Sequence, residues 1–278
     1  MTGLRAALSN ARYALPGYIE RVVRGPGPLA AARRCRALNR GGLAATVGYF
    51  QAGDARPEDI VAANRAVAGL LAGGGDVCLS VKAPPLKFDP DHLRSVAEAA
   101  RTAGLALMFD AHALRDAERT LAAAAGLLRE FPRIGFALPA RWRRGLADAA
   151  RFRDGPARIR VVKGEWADPD WGDPDVESNY LGLIASLAGR AAPVAVATHD
   201  PDLAERALTL LLAAGTPCEL EQLRGLPSRR TAAVARRLGV PIRVYVPFGP
   251  GWWPYALDKA LGRPYLLSWM VRDRLART

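Results

Sequence analysis

Eight times along this chain a short β-prone run precedes a longer segment of helical period, and no other property narrows the possible folds as far. The runs lie at 44–50, 77–82, 105–110, 134–139, 159–163, 194–198, 218–223 and 242–246. The helical stretches fall at about 57–72, 90–102, 114–130, 141–152, 174–189, 201–214, 227–238 and 254–275. Strict alternation implies parallel strands joined by right-handed crossovers, and eight such units are the number that closes on itself. The predicted class is therefore α/β, a (β/α)8 TIM-type barrel over residues 41–278, with an N-terminal helical extension and linker over 1–40. That extension has helical pattern but is interrupted at Pro16 and at Gly25-Pro26-Gly27-Pro28. The rival is an open doubly wound sheet. Against it, no GxGxxG follows the first run, Gly73-Gly74-Gly75 precedes a strand and reads as a helix stop, and neither a GxxxxGK[ST] loop nor an internal repeat is present.

A length of 278 residues suits one barrel domain, and 50% hydrophobic with 24% charged side chains is a globular composition. No run approaches the roughly 18 apolar residues of a membrane span, and no cleavable leader follows Met1, so the expected location is cytoplasmic. Cys35, Cys78 and Cys218 are scattered and odd in number, which suggests reduced thiols and neither a disulfide framework nor a zinc site. The formal charge of +12 raises nucleic acid or an anionic membrane as partner. Its source is arginine, the lysines being Lys82, Lys87, Lys163 and Lys259. The densest clusters, Arg141 with Arg143 and Arg144, and Arg229 with Arg230, Arg236 and Arg237, fall on predicted helices and read as solvated faces. Without interleaved aromatic residues or a reader motif, the expectation is no nucleic acid and at most peripheral contact with a membrane.

A barrel carries its chemistry where strands end, so polar residues closing apolar runs come first. Lys82, Asp110 and His112, Arg160 and Lys163, Thr198 with His199 and Asp200, Glu219, Glu221 and Gln222, and Arg243 with Tyr245 are such residues. The histidines, His92, His112 and His199, form no HxH or HExxH, and the acidic stretch 165–170 lacks the order of an EF-hand, so no metal site is expected. There is no GxSxG elbow. What remains is a cationic rim of Lys82, Arg160, Lys163 and His199. It suits an anionic ligand or an electron-rich cofactor that gains negative charge, such as a flavin being reduced.

In order along the chain, Leu79-Ser80-Val81-Lys82, Phe109-Asp110-Ala111, Arg160-Val161-Val162-Lys163-Gly164-Glu165-Trp166, Ala197-Thr198-His199-Asp200, Glu219-Leu220-Glu221 with Leu223 and Gly225, and Arg243-Val244-Tyr245-Val246-Pro247-Phe248-Gly249 resemble the proline dehydrogenases. These are FAD enzymes with a (β/α)8 barrel, and the resemblance runs from about Gly48 to Leu275. It implies catalytic roles for Asp110, beneath the flavin, and Arg160, near flavin N5. It implies cofactor binding by Ala111, Pro139, Lys163, Gly164, Glu165, Thr198, His199 and Glu221. Substrate binding would fall to Lys82, Leu223, Tyr245, Asp258 and Lys259. The implied reaction moves a hydride from the carbon next to a secondary amine, proline or a proline-like cyclic amine, to the flavin and leaves an imine. A quinone or another acceptor would then reoxidise the flavin.

Departures from the family pattern are as informative. Pro139 and Glu221 stand where flavin-side glutamines are expected, His112 replaces a glutamate and Trp166 a tyrosine. The pair of arginines that would clamp a substrate carboxylate is Asp258-Lys259, and Gly262 replaces their glutamate partner. An aspartate there repels a carboxylate, and a lysine cannot reproduce a guanidinium fork, so an amine without a free carboxylate becomes a candidate substrate. Two alternatives stay open at this point: a catalytically inactive barrel that kept the scaffold, and a flavin or barrel enzyme of another class acting on a different substrate.

Overall fold

A computed structural model describes residues 25–172, 175–253 and 256. Helix α1 (Pro28–Arg40) is followed by β1 (Ala44–Tyr49), α2 (Pro57–Leu71), β2 (Val77–Val81), α3 (Pro90–Thr102), β3 (Ala106–Phe109), α4 (Ala117–Leu128) and β4 (Ile134–Pro139). Then come α5 (Gly145–Phe152), β5 (Arg158–Val162), α6 (Val176–Leu187), β6 (Val194–Ala197), α7 (Pro201–Ala213), β7 (Cys218–Leu223), α8 (Arg229–Arg237) and β8 (Ile242–Phe248). All strands pair in parallel in chain order, and β8 closes on β1 with Thr46 opposite Tyr245. The barrel is thus the one the alternation predicts. The predicted segment 254–275 lies, apart from Ala256, outside the described residues, as do Asp258, Lys259 and Gly262.

Local chemistry sets the element ends. Pro28, Pro57, Pro90 and Pro201 open their helices, where a missing N–H costs nothing. Asp89, Asp175 and Asp200 cap α3, α6 and α7 by accepting backbone N–H groups of the first turn. The Gly25–Pro28 stretch leads into α1, with Gly27 at its N-cap and Pro28 as its first residue, and α1 packs on α2, β1 and β8 with Ala31, Ala32 and Cys35 in the common core. Two expectations shift. The segment 114–130 narrows to α4 preceded by a 3-10 turn at Leu114–Asp116, and the segment 141–152 narrows to α5. Arg141, Arg143 and Arg144 therefore sit on the turn before α5, not on a solvated helix face.

Alternation along each strand sorts the side chains. Val47, Leu79, Val81, Phe109, Phe136, Leu138, Ile159, Val161, Val196 and Leu220 face the helices and form one apolar shell between barrel and ring. The intervening positions face inward, and on β5, β7 and β8 they carry charge. Arg243 donates to Glu219 at 2.7 Å, to the Ala45 carbonyl at 2.6 Å and to Asp76 at 2.8 Å, and Arg158 also pairs with Glu219. This ion-paired tier fills the lower barrel. Among the described residues no helix is long and apolar enough to cross a membrane.

Candidate active site

Above that tier lies a second, built on Arg160. The residue is 4% exposed, and its guanidinium lies between side chains from three other parts of the barrel, Asp110, Glu221 and Tyr245. Nε and Nη2 donate to the two oxygens of Glu221 at 2.7 and 2.8 Å, and Nη1 donates to Asp110 at 2.7 Å. Glu221 also accepts from the Thr46 hydroxyl at 2.6 Å. Asp110 accepts from Ser80 at 2.6 Å and from the Tyr245 hydroxyl at 2.8 Å, while Lys82 Nζ stands 3.5 Å away. Small inward residues at Ala137 on β4 and Ala195 and Ala197 on β6 leave room for the arginine between them.

Burial alone would raise both carboxyl pKa values. For Asp110, Lys82 and Arg160 outweigh it, helped by the Ser80 and Tyr245 hydroxyls, and hold the carboxyl below the ordinary range. For Glu221, Arg160 and Arg158 do the same. Burial would lower Arg160, yet Glu221 and Asp110 overcome it and raise the guanidinium further. Burial and the Asp110 charge push the Tyr245 phenol well up. The floor therefore keeps fixed charges through the neutral range.

Tyr245 reaches Asp110 because of its neighbour on β1. A Cβ placed on Gly48 would lie 1.9 Å from the Tyr245 hydroxyl oxygen and 2.5 Å from Cζ, so only glycine leaves the phenol its seat. Arg160 in turn lies 5.5 Å from the Tyr245 ring centroid, and Lys82 sits 4.1 Å over the Phe50 ring while donating to the Tyr49 carbonyl at 3.3 Å.

The floor opens into a cavity of about 600 Å³ at the C-terminal ends of the strands. Every described residue to which the resemblance gives a role lines it: Lys82, Asp110, Ala111, Pro139, Arg160, Lys163, Gly164, Glu165, Thr198, His199, Glu221, Leu223 and Tyr245; the strand-end residues Glu219 and Arg243 belong instead to the lower tier. Most of these lie at or just past the last paired residue of their strand, where the loops begin. His112 and Trp166 line the mouth with ring centroids 5.1 Å apart. Burial lowers the His112 pKa, and Asp116, 3.6 Å from Nδ1, only partly offsets this.

The segment Thr198-His199-Asp200 turns out to build its own loop. Thr198 Oγ1 accepts from the Asp200 N–H, and Asp200 caps α7 and stands 3.4 Å from Lys163. His199 Nδ1 lies 2.6 Å from the Pro227 carbonyl, and Nε2 accepts from the Leu223 N–H at 2.9 Å. A carbonyl can only accept and an amide N–H can only donate, so the ring is neutral with its proton on Nδ1. This corrects the expected cationic rim, since His199 is not one of its charges.

Thr46, Ser80 and Gly48 were not among the sequence candidates, although all three shape the floor. The available signal was parity: Ser80 lies two residues before Lys82, and Thr46 and Gly48 share one strand face. Arg141, grouped with solvated arginines from the sequence, lines the cavity. Among the described residues no group of three or more His, Cys, Asp or Glu could hold a metal ion.

No family model matches the chain. It is 26% identical over 276 residues to proline dehydrogenase 1 of Bacillus subtilis subsp. natto, covering 92% of this chain and 90% of that protein. The same figures hold for proline dehydrogenase 1 of Bacillus subtilis strain 168. Over 149 residues, 51% of this chain and 48% of the relative, it is 28% identical to a proline dehydrogenase of Deinococcus radiodurans. Among solved structures, proline utilization A from Bdellovibrio bacteriovorus superposes with a TM-score of 0.74 at 19% identity, over 90% of this chain. Proline utilization A of Bradyrhizobium japonicum gives 0.66 at 19% identity over 85%. The chain spans 33% and 30% of the length of those two proteins, and at this identity they speak for the fold.

Proposed function

This chain belongs to the proline dehydrogenase family, and on that premise we propose that it is an FAD-dependent oxidoreductase acting on proline or a proline-like cyclic amine. It removes a hydride from the carbon next to the secondary amine and leaves an imine. FAD, when bound, supplies the two-electron acceptor. The observation that carries the reading is the convergence of Lys82, Asp110, Arg160 and Tyr245, from four separate strands, on one buried polar floor beneath an open cavity.

The wall suits the cofactor. Its volume falls within the range of small-molecule sites, about 300–1,000 Å³, and Gly164 lines it at a point where a Cβ would meet Pro139 Cβ at 2.8 Å, so the two turns close tightly on each other. Pro139, Lys163, Gly164 and Glu165 would hold the cofactor on one side, and Ala111, Thr198, His199 and Glu221 on the other. Lys82 orients an anionic group of the substrate, and Tyr245, its hydroxyl tied to Asp110, offers a fixed ring face beside Leu223. Asp110 stays ionised and is a weak base, so the amine loses its proton to solvent before the hydride leaves. A quinone or another acceptor takes the electrons afterwards.

The test is an absorbance spectrum of protein expressed with excess riboflavin and then given FAD. We expect the visible band of bound oxidised flavin, bleached by L-proline or a cyclic amine. Binding of neither FAD nor FMN sinks the proposal.

A further inference from the structure

The cavity wall carries four described cations, and three of them are engaged. Arg160 is held by Glu221 and Asp110, Lys82 by Asp110 and the Tyr49 carbonyl, and Lys163 by Asp200 at 3.4 Å. Arg141 differs. Its Nε is buried and has no hydrogen-bond partner, and no ion pair joins it to a described residue. A buried guanidinium donor left without an acceptor is costly to the fold, and because Arg141 lines the cavity, a ligand there can engage the guanidinium and offset that cost.

Its placement is built. Gly164 has φ +88°, and a Cβ there would lie 3.3 Å from Arg141 Cβ as well as 2.8 Å from Pro139 Cβ. The turn that carries Lys163 therefore closes directly onto the turn that carries Arg141, and a side chain at 164 would force the two apart. Arg141 and Lys163 rise from touching turns, at the ends of β4 and β5, into one cavity. The substrate's anionic group has its own cation, Lys82, at the end of β2.

We propose that Arg141, with Lys163 beside it, grips the phosphate oxygens of the cofactor. This rests on the flavin reading above and adds a residue to it. Two adjacent cations match the two charges of a diphosphate better than the single charge of a carboxylate, and the planar fork of arginine binds such oxygens in bidentate fashion.

Arg141→Gln and Arg141→Lys, compared with the wild type, test this through dissociation constants for FAD, FMN and riboflavin, read by flavin fluorescence. Losing a bidentate charge-assisted contact should weaken FAD and FMN about 30-fold or more. Riboflavin, which has no phosphate, should change less than about threefold, and Arg141→Lys should recover part of the loss. Because the buried unpaired donor disappears, the ligand-free Arg141→Gln protein should melt no lower than the wild type. FAD binding within threefold of wild type, or a riboflavin loss as large as that of FAD, overturns the proposal. Inorganic pyrophosphate separates it from its premise. Stabilisation of the wild type but not of Arg141→Gln, in a protein that binds no flavin, rejects the flavin reading and keeps the anion site.

Discussion

Replacing Glu221 by glutamine keeps the shape of the Arg160 cradle and removes its charge. Glu221 accepts three hydrogen bonds, two from Arg160 and one from Thr46, and is 3% exposed, so solvent cannot take their place. A glutamine offers one acceptor oxygen and turns an NH2 towards a donor of Arg160. One charge-assisted bond is lost, about 1.5–3 kcal/mol, and a buried donor is left unpaired, about 1–3 kcal/mol. Asp110 still neutralises part of the guanidinium, which puts the total at the low end of the range for a broken buried pair, about 3 kcal/mol. At roughly 2–4 °C per kcal/mol for a chain of this size, melting should fall by about 6–12 °C. The pH dependence adds a sign. The folded Glu221 carboxyl lies below its ordinary value, so its contribution is complete above the unfolded pKa of about 4.3 and is lost as pH falls through the folded value. Circular-dichroism melts from pH 8 downward should show a constant gap between wild type and Glu221→Gln to about pH 5, closing below about pH 4. A variant melting within about 2 °C of wild type at pH 7, or a gap unchanged at the most acidic pH the wild type survives, refutes the reasoning.

Gly48→Ala puts a methyl group 1.9 Å from the Tyr245 hydroxyl oxygen. Displacing the phenol should cost about 1–3 kcal/mol in overpacking, read as a lower melting temperature together with a raised KM for the amine. An unchanged KM would detach Tyr245 from substrate binding. Tyr245→Phe removes the hydrogen bond to Asp110, worth about 1.5–3 kcal/mol. The Asp110 carboxyl then sits less far below its ordinary value, so the acid-unfolding midpoint should move to higher pH; a midpoint that stays put or falls contradicts the described network.

How much of this was legible from the chain depends on the physics of each feature. The barrel was readable because strand and helix periods differ and repeat. The floor was readable in part, since Lys82, Asp110, Arg160 and Tyr245 are polar residues in otherwise apolar runs. Partnership was not readable. That Glu221 locks Arg160 depends on register between β5 and β7, 61 residues apart, and that His199 is neutral depends on two backbone groups brought to it by the loop after β7. Arg141 was misplaced because its neighbours Arg143 and Arg144 share its charge, while α5 begins only at Gly145.

The sorting of side chains along the strands has an engineering consequence. On β5 the residues 158, 160 and 162 address the chamber and 159 and 161 address the scaffold; on β7 the chamber set is 219, 221 and 223. Parity thus works as an address, and a substitution library can be written for one compartment without rewriting the other. The chamber positions are not independent among themselves, because Arg158, Arg160, Glu219, Glu221 and Arg243 are bound by charge. Recoding there has to proceed by partners, each cation exchanged together with the acid that holds it, whereas scaffold positions can be varied singly as long as volume is conserved.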